Sequence, residues 1–351
     1  MRCNQSVVGT LGDKKIIAYN VKFENGFEVE VLNLGGVITK IITPDKDNNF
    51  ENIVLGYEDI NDYIENPYYY GAIIGRTSGR ICEGNIKIED REYKLNKNYG
   101  LHQGHGGNYG FNHKIWNVQV KENKDCISLI LSRKSPNMEE NYPGNLDVEV
   151  VFNIYENYKI EEIYTCTTDQ TTLVNMTNHS YFNLKGNDSE TTVEDVKVWL
   201  KASHYTKIRH GAIPTGEIAS VKGTPFDFTT MKQISQDIDA ENAQLALVKG
   251  YDHNFVIDDY EAGKVQKIAE VVDEKALRSM EVYTDMPGVQ LYTGNNMVPE
   301  LGKGDALYPC RGGICLETQF FPNCARQEGF IKPVVTPEKP FTSTTIYKFV
   351  N

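Results

Sequence analysis

The sequence predicts an all-β fold of antiparallel sheets with very little helix. Three observations lead to this prediction: short runs alternate apolar and polar residues, turn-forming sequences such as Asn-Gly and Gly-Gly separate these runs, and the chain holds 21 tyrosines and 14 phenylalanines. Alternation with a period of two indicates strands with one buried and one solvated face, and aromatic residues favour strands. Long helices between parallel strands are not indicated.

The individual elements follow from the same alternation. It predicts strands at 27–32, 86–89, 127–131, 148–155, 196–200 and 345–350. Helical periodicity is confined to short segments near 57–64 and 231–238. No linker, charge block or fixed-period repeat divides the chain, so we expect a single domain spanning residues 1–351.

Composition restricts the partners of the protein. The formal net charge is -12, whereas nucleic acids and anionic membranes attract basic surfaces, so a neutral or weakly charged small molecule fits better. The amino terminus lacks the apolar run of a signal peptide, and no stretch of about 18 apolar residues is present. Seven scattered cysteines without a Cys-x-x-Cys pair indicate reduced thiols. We expect a cytoplasmic protein, monomeric or homodimeric.

Segment 174–184, Val-Asn-Met-Thr-Asn-His-Ser-Tyr-Phe-Asn-Leu, places His179 in a polar and aromatic cluster that a simple strand has little reason to carry. Histidine titrates near neutral pH and can act as a general acid or base. The amides of Asn175, Asn178 and Asn183 can bind hydroxyl groups, and the neighbouring aromatic rings suit the apolar faces of a sugar. A capped turn with a hydrogen-bonded histidine is the alternative.

Two glycine-rich segments also depart from strand patterning. Ile74-Gly-Arg-Thr-Ser-Gly-Arg-Ile places Arg76 and Arg80 in an apolar context, where guanidinium donors need partners such as sugar hydroxyls, a carboxylate or a structural ion pair. Segment 101–111 places His102 and His105 where glycines let a ligand approach the backbone. The His-x-x-His spacing lacks a third ligand for a metal, and no Gly-x-Ser-x-Gly nucleophile motif is present.

Two carboxylates stand at the ends of apolar strands. Asp252 begins the run Asp-His-Asn-Phe-Val-Ile after a turn, where it can accept hydrogen bonds from vicinal hydroxyls or cap the turn. Glu317 lies in Ile-Cys-Leu-Glu-Thr-Gln-Phe-Phe-Pro, among residues that we expect to be buried. A buried carboxylate is costly without a partner, and desolvation makes it more basic, so Glu317 is a candidate general base or a salt-bridged core residue.

Together these segments resemble the aldose 1-epimerase (galactose mutarotase) family. The resemblance runs nearly end to end and is carried by the order and spacing of several motifs, namely Gly35-Gly-Val-Ile, Val54-Leu-Gly-Tyr, Tyr70-Gly-Ala-Ile-Ile-Gly-Arg, His105-Gly-Gly-Asn-Tyr-Gly-Phe, Thr177-Asn-His-Ser-Tyr-Phe-Asn-Leu, Gly250-Tyr-Asp-His-Asn-Phe, Pro287-Gly-Val-Gln-Leu-Tyr-Thr-Gly-Asn and Leu316-Glu-Thr-Gln-Phe-Phe-Pro.

The resemblance implies a large antiparallel β-sandwich that binds a free aldohexose and uses no metal or organic cofactor. It implies that Glu317 is the general base, which takes the proton of the anomeric hydroxyl, and that His179 is the general acid, which protonates the ring oxygen. Rotation about C1–C2 and reclosure would then give the other anomer. The resemblance also implies that Arg76, His105, Asp252 and Gln290 bind or orient the sugar.

Some features depart from the family pattern and leave further functions open. Ser78-Gly79 replaces the family's usual Ala-Asn, Asn323-Cys-Ala-Arg replaces an aspartate-containing turn, and His102 competes with His105 for the same motif position. The chain could instead be an epimerase of a phosphorylated or unusual sugar, a glycosidase that uses Asp252 with Glu317, or a non-catalytic sugar-binding module.

Overall fold

The computed structural model describes residues 1–350, and its strands pair in antiparallel sheets with two short α-helices. The all-β prediction is therefore confirmed. Asn351, the last residue of the predicted single domain, lies outside the described residues. Among the described residues, no helix has both the length and the apolar character needed to cross a membrane.

The strands and helices are numbered in chain order. The first strands are β1 (Arg2–Leu11), β2 (Lys14–Lys22), β3 (Glu28–Leu32), β4 (Ile38–Pro44), β5 (Phe50–Asn52), β6 (Ile73–Ile74), β7 (Arg80–Ile81), β8 (Asn85–Ile88), β9 (Arg91–Lys94) and β10 (Gln103–Gly104). The middle strands are β11 (Asn117–Glu122), β12 (Cys126–Ser135), β13 (Leu146–Tyr155), β14 (Lys159–Thr168), β15 (Thr172–Leu173), β16 (Thr177–Asn178), β17 (Lys197–Leu200), β18 (His204–Arg209), β19 (Ile213–Ser220) and β20 (Lys232–Gln233). The last strands are β21 (Asp252–Val256), β22 (Gln266–Asp273), β23 (Arg278–Thr284), β24 (Gly288–Tyr292), β25 (Glu300–Leu301), β26 (Leu307–Tyr308), β27 (Cys315–Gln319), β28 (Val334–Val335) and β29 (Phe341–Val350). The α-helices are α1 (Asp62–Glu65) and α2 (Ala243–Val248), and short 3-10 turns occur at Cys82–Gly84, Phe111–His113, Glu139–Asn141, Ile234–Gln236, Lys303–Asp305 and Cys324–Arg326.

Three large sheets share one apolar core. The amino-terminal sheet has the order β1-β2-β3-β4-β5, the largest sheet has the order β11-β12-β13-β14-β29-β23-β22-β17-β20, and the third has the order β19-β18-β21-β24-β27. The core joins Val29 of the first sheet, Phe152 of the second and Leu291 of the third, all fully buried. Burying one such side chain stabilises the fold by about 1.5–3 kcal/mol.

The predicted strands agree with the structure better than the predicted helices do. Each of the six predicted strands overlaps an observed one, for example 148–155 within β13. Helix α1 covers only the end of the segment 57–64, and the segment 231–238 forms β20 and a 3-10 turn instead of a helix. Helix α2 was missed, although the side chain of Asn242 caps it by accepting a hydrogen bond from the Gln244 N–H at 2.9 Å.

Candidate active site

A cavity of about 290 Å³ opens beside the third sheet. It is lined by Pro67, Tyr68, Tyr69, Gly79, Arg80, Tyr99, His105, His179, Tyr181, Asp252, Gln290, Tyr292, Asn296, Glu317 and Gln319. Small-molecule sites typically measure about 300–1,000 Å³, so this cavity suits a ligand the size of one sugar ring. Five of its residues are tyrosines, whose rings can cover apolar ligand faces.

Strand alternation places three of the polar residues on one face of the sheet. Gln290 of β24 lies opposite Glu317 of β27, and Tyr292 of β24 lies opposite Asp252 of β21. Because successive side chains point to opposite faces, residues two apart along a strand share a face. His253 therefore points away from the cavity, and its ring packs against Phe226 with the ring centroids 4.6 Å apart.

His179 is held rigidly where the chain leaves β16. Its N–H donates to the carbonyl of Ala72 at 2.9 Å, and its carbonyl accepts from the Gly71 N–H at 3.1 Å. Its Nε2 lies 3.6 Å from Oε1 of Glu317, and both side chains are at least 95% buried. The imidazole also stacks on Tyr181, with ring centroids 5.2 Å apart. These contacts bring an imidazole and a carboxyl group together at the cavity.

The asparagines around His179 hold the backbone rather than a ligand. Asn175 both donates to and accepts from the main chain of Phe320, Asn178 donates to the Gly71 carbonyl, and Asn183 donates to the Gly312 carbonyl. The expectation that these amides bind hydroxyls does not agree with this arrangement. Their role is to fix the irregular chain that carries the histidine.

His105, and not His102, lies at the cavity. Its ring centroid is 5.1 Å from that of His179 and 4.9 Å from that of Tyr69. The next residue, Gly106, has φ = 87°, and a Cβ atom there would lie 1.9 Å from the Gly75 carbonyl oxygen. Only glycine fits this close approach, which explains the glycine after the histidine. His102 instead accepts a hydrogen bond from the Glu83 N–H at 3.0 Å.

Asp252 belongs to a buried polar network. Its carboxylate forms an ion pair with Arg80 at 2.8 Å and accepts a hydrogen bond from Nε2 of Gln290 at 2.6 Å. Burial alone would raise the pKa of Asp252, but the charge and hydrogen bond of Arg80 outweigh it and lower that pKa. Asp252 therefore stays ionised and can accept hydrogen bonds from ligand hydroxyls.

Arg76 does not line the cavity. It is 2% exposed, and its guanidinium donates to the Ser135 hydroxyl and to the carbonyls of Ser135, Pro136, Pro143 and Gly144 at 2.8–3.0 Å. A guanidinium saturated in this way has no donor left for a ligand. The sequence-based assignment of Arg76 to the sugar does not agree with this position, and the arginine at the cavity is Arg80.

The pKa values of the two candidates for proton transfer, Glu317 and His179, shift in opposite directions. Burial, together with the negative charge of Asp252, raises the pKa of Glu317 to about 8. Burial lowers the pKa of His179 to about 4. Both shifts favour the uncharged forms, a protonated carboxyl group on Glu317 and a neutral imidazole on His179. The second carboxyl oxygen, Oε2, is buried without a hydrogen-bonding partner in the described chain, so it is free to accept a hydrogen bond from a ligand.

The pair and His105 also have the composition of a metal site. One ligand atom from each of His105, His179 and Glu317 lies within 4.8 Å of the others, and these are ligand types that zinc uses. The same atoms can also donate and accept protons.

Several residues at the cavity were not assigned from the sequence. Gln319 lies two residues after Glu317 and Tyr292 lies two residues after Gln290, so strand alternation was the available signal for both. Ser78 donates to Oε1 of Gln319 at 2.6 Å. A Cβ atom at Gly79 would lie 2.8 Å from Pro322, so the backbone alone borders the cavity there. Ser78 thus supports Gln319 on this side of the site, and Gly79 gives the chain room to pass Pro322.

The chain matches known proteins over nearly its whole length. Residues 18–348 match the family model described as aldose 1-epimerase. Galactose mutarotase from Bos taurus is 37% identical over 92% of this chain and 90% of its own length, and aldose 1-epimerase from Escherichia coli (strain K12) is 32% identical over 93% and 92%. The crystal structure of galactose 1-epimerase from Lactobacillus acidophilus shares the fold, with a TM-score of 0.86, 24% identity and coverage of 100% of this chain and 99% of that one. The chain therefore belongs to the aldose 1-epimerase family, isomerases that interconvert the anomers of aldoses.

Proposed function

We propose that this enzyme interconverts the α and β anomers of a free aldohexose, galactose or glucose, by acid–base ring opening and reclosure. The observation that carries the proposal is the buried pair of Glu317 and His179, 3.6 Å apart, beside a cavity that fits one sugar. Ring opening requires removal of a proton at one oxygen and delivery of a proton at another, and one carboxylate with one imidazole performs both transfers.

In the proposed reaction, Glu317 removes the proton from the C1 hydroxyl while protonated His179 delivers its Nε2 proton to the ring oxygen. The bond between C1 and the ring oxygen breaks, and C1 becomes an aldehyde. After rotation about C1–C2, the C5 hydroxyl adds to the opposite face of the carbonyl. Closure returns one proton from Glu317 to O1 and one from the C5 hydroxyl to His179, so both residues regain their starting states.

Sugar binding must relocate the shared proton before this cycle begins. In the empty cavity the raised pKa of Glu317 and the lowered pKa of His179 place the proton on the carboxyl group. Sugar hydroxyls that donate to the carboxylate stabilise its charged form and lower its pKa. The proton then moves to Nε2, across the 3.6 Å gap, and creates the base and the acid together.

We assign sugar binding to His105, Asp252, Gln290 and Arg80. Asp252 is an ionised acceptor for hydroxyls, and Gln290 and Arg80 fix its orientation while offering further donors. Arg80 takes the role that the sequence suggested for Arg76, because its guanidinium reaches the cavity. His105 lies beside His179 and is kept neutral, since burial lowers its pKa.

The choice of galactose rests on the relatives that carry the name galactose mutarotase. A cytoplasmic location is also proposed, supported by seven cysteines that are all present as free thiols.

Polarimetry of freshly dissolved α-galactose and α-glucose tests the proposal. The expected result is that each sugar, or one of them, reaches its equilibrium rotation faster with the protein than in buffer alone. If neither equilibrates faster, the proposal fails for these substrates. Binding without acceleration would indicate a sugar-binding module.

Two parallel assays distinguish a mutarotase from a glycosidase and from a phosphosugar epimerase. Hydrolysis of a nitrophenyl galactoside would indicate a glycosidase. Acceleration with α-glucose 6-phosphate but not with α-glucose would indicate a phosphosugar epimerase, which the cavity does not favour because its arginine, Arg80, is already paired with Asp252.

A further inference from the structure

Strand β27 reaches both nitrogens of the His179 ring. Glu317 lies 3.6 Å from Nε2, and Cys315, two residues earlier on the same face of the strand, has its Sγ 3.7 Å from Nδ1. Cys315 is fully buried, and it lies opposite Tyr292 of β24, a residue of the cavity. Two side chains of one strand therefore contact the imidazole, one at each ring nitrogen.

Proton exchange at one ring nitrogen requires that the other nitrogen keep its proton. Nε2 is the nitrogen that faces Glu317. When His179 is neutral during the cycle, its remaining proton must lie on Nδ1, because Nε2 must be free to take the proton of the C5 hydroxyl. Which nitrogen is protonated in a neutral imidazole depends on the partner of the other nitrogen.

We infer that Cys315 is a positioning residue for His179: its sulfur accepts a hydrogen bond from Nδ1–H and so reserves Nε2 for proton exchange with the sugar. This inference rests on the proposed function of His179. A buried thiol remains uncharged and can act as a weak acceptor, which suits a ring that must cycle between neutral and charged forms.

The other groups around the ring do not supply this contact. Tyr181, Tyr69 and His105 meet the imidazole through their rings, with centroid separations of 5.2, 5.9 and 5.1 Å. Asp252 and Arg80 act on His179 only through their charges, with opposite effects on its pKa. A hydrogen bond with the main chain of His179 itself also favours the protonated form of the ring. Replacing the thiol is therefore expected to weaken, rather than abolish, the preference for Nδ1–H.

The test compares Cys315→Val, which removes the acceptor and adds one methyl group to the side chain, with Cys315→Ser, which keeps an acceptor. The matched control is Cys166→Val, since Cys166 is also fully buried but lies on β14, with its sulfur 3.6 Å from that of Met176. In Cys315→Val we expect kcat to fall about three- to tenfold with KM unchanged, since misorientation of a catalytic group slows the chemical step. In Cys315→Ser and Cys166→Val we expect kcat within about twofold of wild type.

Nitrogen-15 NMR of histidine-labelled protein gives a readout that packing alone would not change. In wild type the neutral His179 ring should carry its proton on Nδ1, and in Cys315→Val the Nε2–H tautomer should appear. An unchanged tautomer, or an unchanged kcat in Cys315→Val, overturns the inference. Equal loss of kcat in the Val and Ser variants also overturns it, because packing would then be the cause.

The two proposals can fail separately. Wild-type protein that does not accelerate mutarotation refutes the proposed function, whereas the tautomer of His179 in wild type and Cys315→Val still decides the contact between Cys315 and His179.

Discussion

Replacing Glu317 with glutamine should make the enzyme slower and the fold more stable at the same time. Glutamine keeps the shape of the side chain but cannot take the proton of the C1 hydroxyl. General acid–base catalysis contributes about 10²–10⁴-fold, so kcat for α-galactose should fall by at least about 10²-fold. KM should change little, because the hydrogen-bonding oxygen is retained. Polarimetry measures both quantities.

The gain in stability follows from the burial of the carboxyl group. Its pKa is about 8 in the folded protein and 4.5 by reference, so wild type carries a stability that is complete below pH 4.5 and is lost as the pH rises towards 8. At pH 7 the carboxyl group of the unfolded chain is about 2.5 pH units above its pKa of 4.5, so its ionisation stabilises the unfolded state. At about 1.4 kcal/mol per unit, this lowers the free energy of unfolding of wild type by about 3 kcal/mol. Glutamine avoids this loss, apart from the cost of finding an acceptor for its amide.

Glu162 provides a matched control. It is fully buried on β14, its pKa is also raised to about 8 by burial, and Tyr164 donates to its Oε2 at 2.6 Å. It does not line the cavity. Glu162→Gln should therefore also become more stable than wild type as the pH rises, while its kcat stays unchanged. Urea unfolding at pH 5 and pH 8 measures the free energy of unfolding for both variants and wild type.

Two results would refute this reasoning. If Glu317→Gln keeps a kcat near that of wild type, Glu317 is not the base. If the stability of Glu317→Gln relative to wild type does not increase between pH 5 and pH 8, the carboxyl group is not held protonated by burial, and the proposed relocation of its proton on sugar binding loses its basis.

Further predictions concern the other residues. His179→Asn should lower kcat by about 10²-fold or more in polarimetry, and near-normal turnover would exclude it as the acid. Arg80→Met should lower kcat/KM about 10- to 100-fold because Asp252 loses its counter-ion. A KM close to that of wild type would be evidence against a role of Arg80 in binding. Arg76→Met should instead lower the free energy of unfolding by about 3 kcal/mol or more, since it leaves buried carbonyls without donors, and a Tm equal to that of wild type would contradict this. Asp252→Asn should raise KM for galactose in the same assay, and an unchanged KM would contradict the binding of sugar hydroxyls by Asp252.

The sequence predicted five of the residues at the site but not the others that line the cavity. Glu317, His179, His105, Asp252 and Gln290 come together at one cavity, as the resemblance to the family implied. Strand alternation predicted the sheets because it depends only on which face of a strand is buried. The short helices were poorly predicted because a few residues give too little periodicity.

The arginines show where sequence reasoning reached its limit. Arg76 and Arg80 are four residues apart in the same glycine-bracketed motif, and both need partners for their donors. The sequence does not contain the positions of those partners, which come from segments 19 to 172 residues away along the chain. Only the packing of these segments shows that Arg76 is saturated by main-chain carbonyls and that Arg80 meets Asp252 at the cavity.

By itself, the sequence determined the all-β class and the family, because these depend on local alternation and on ordered motifs, and it pointed to Glu317 and His179 as the proposed acid–base pair. The tertiary structure decided which charges are paired, which carboxyl groups have their pKa raised by burial, and that one strand presents Cys315 and Glu317 to the two nitrogens of His179. Such properties depend on distance and desolvation between residues that are remote in sequence, so no local pattern encodes them.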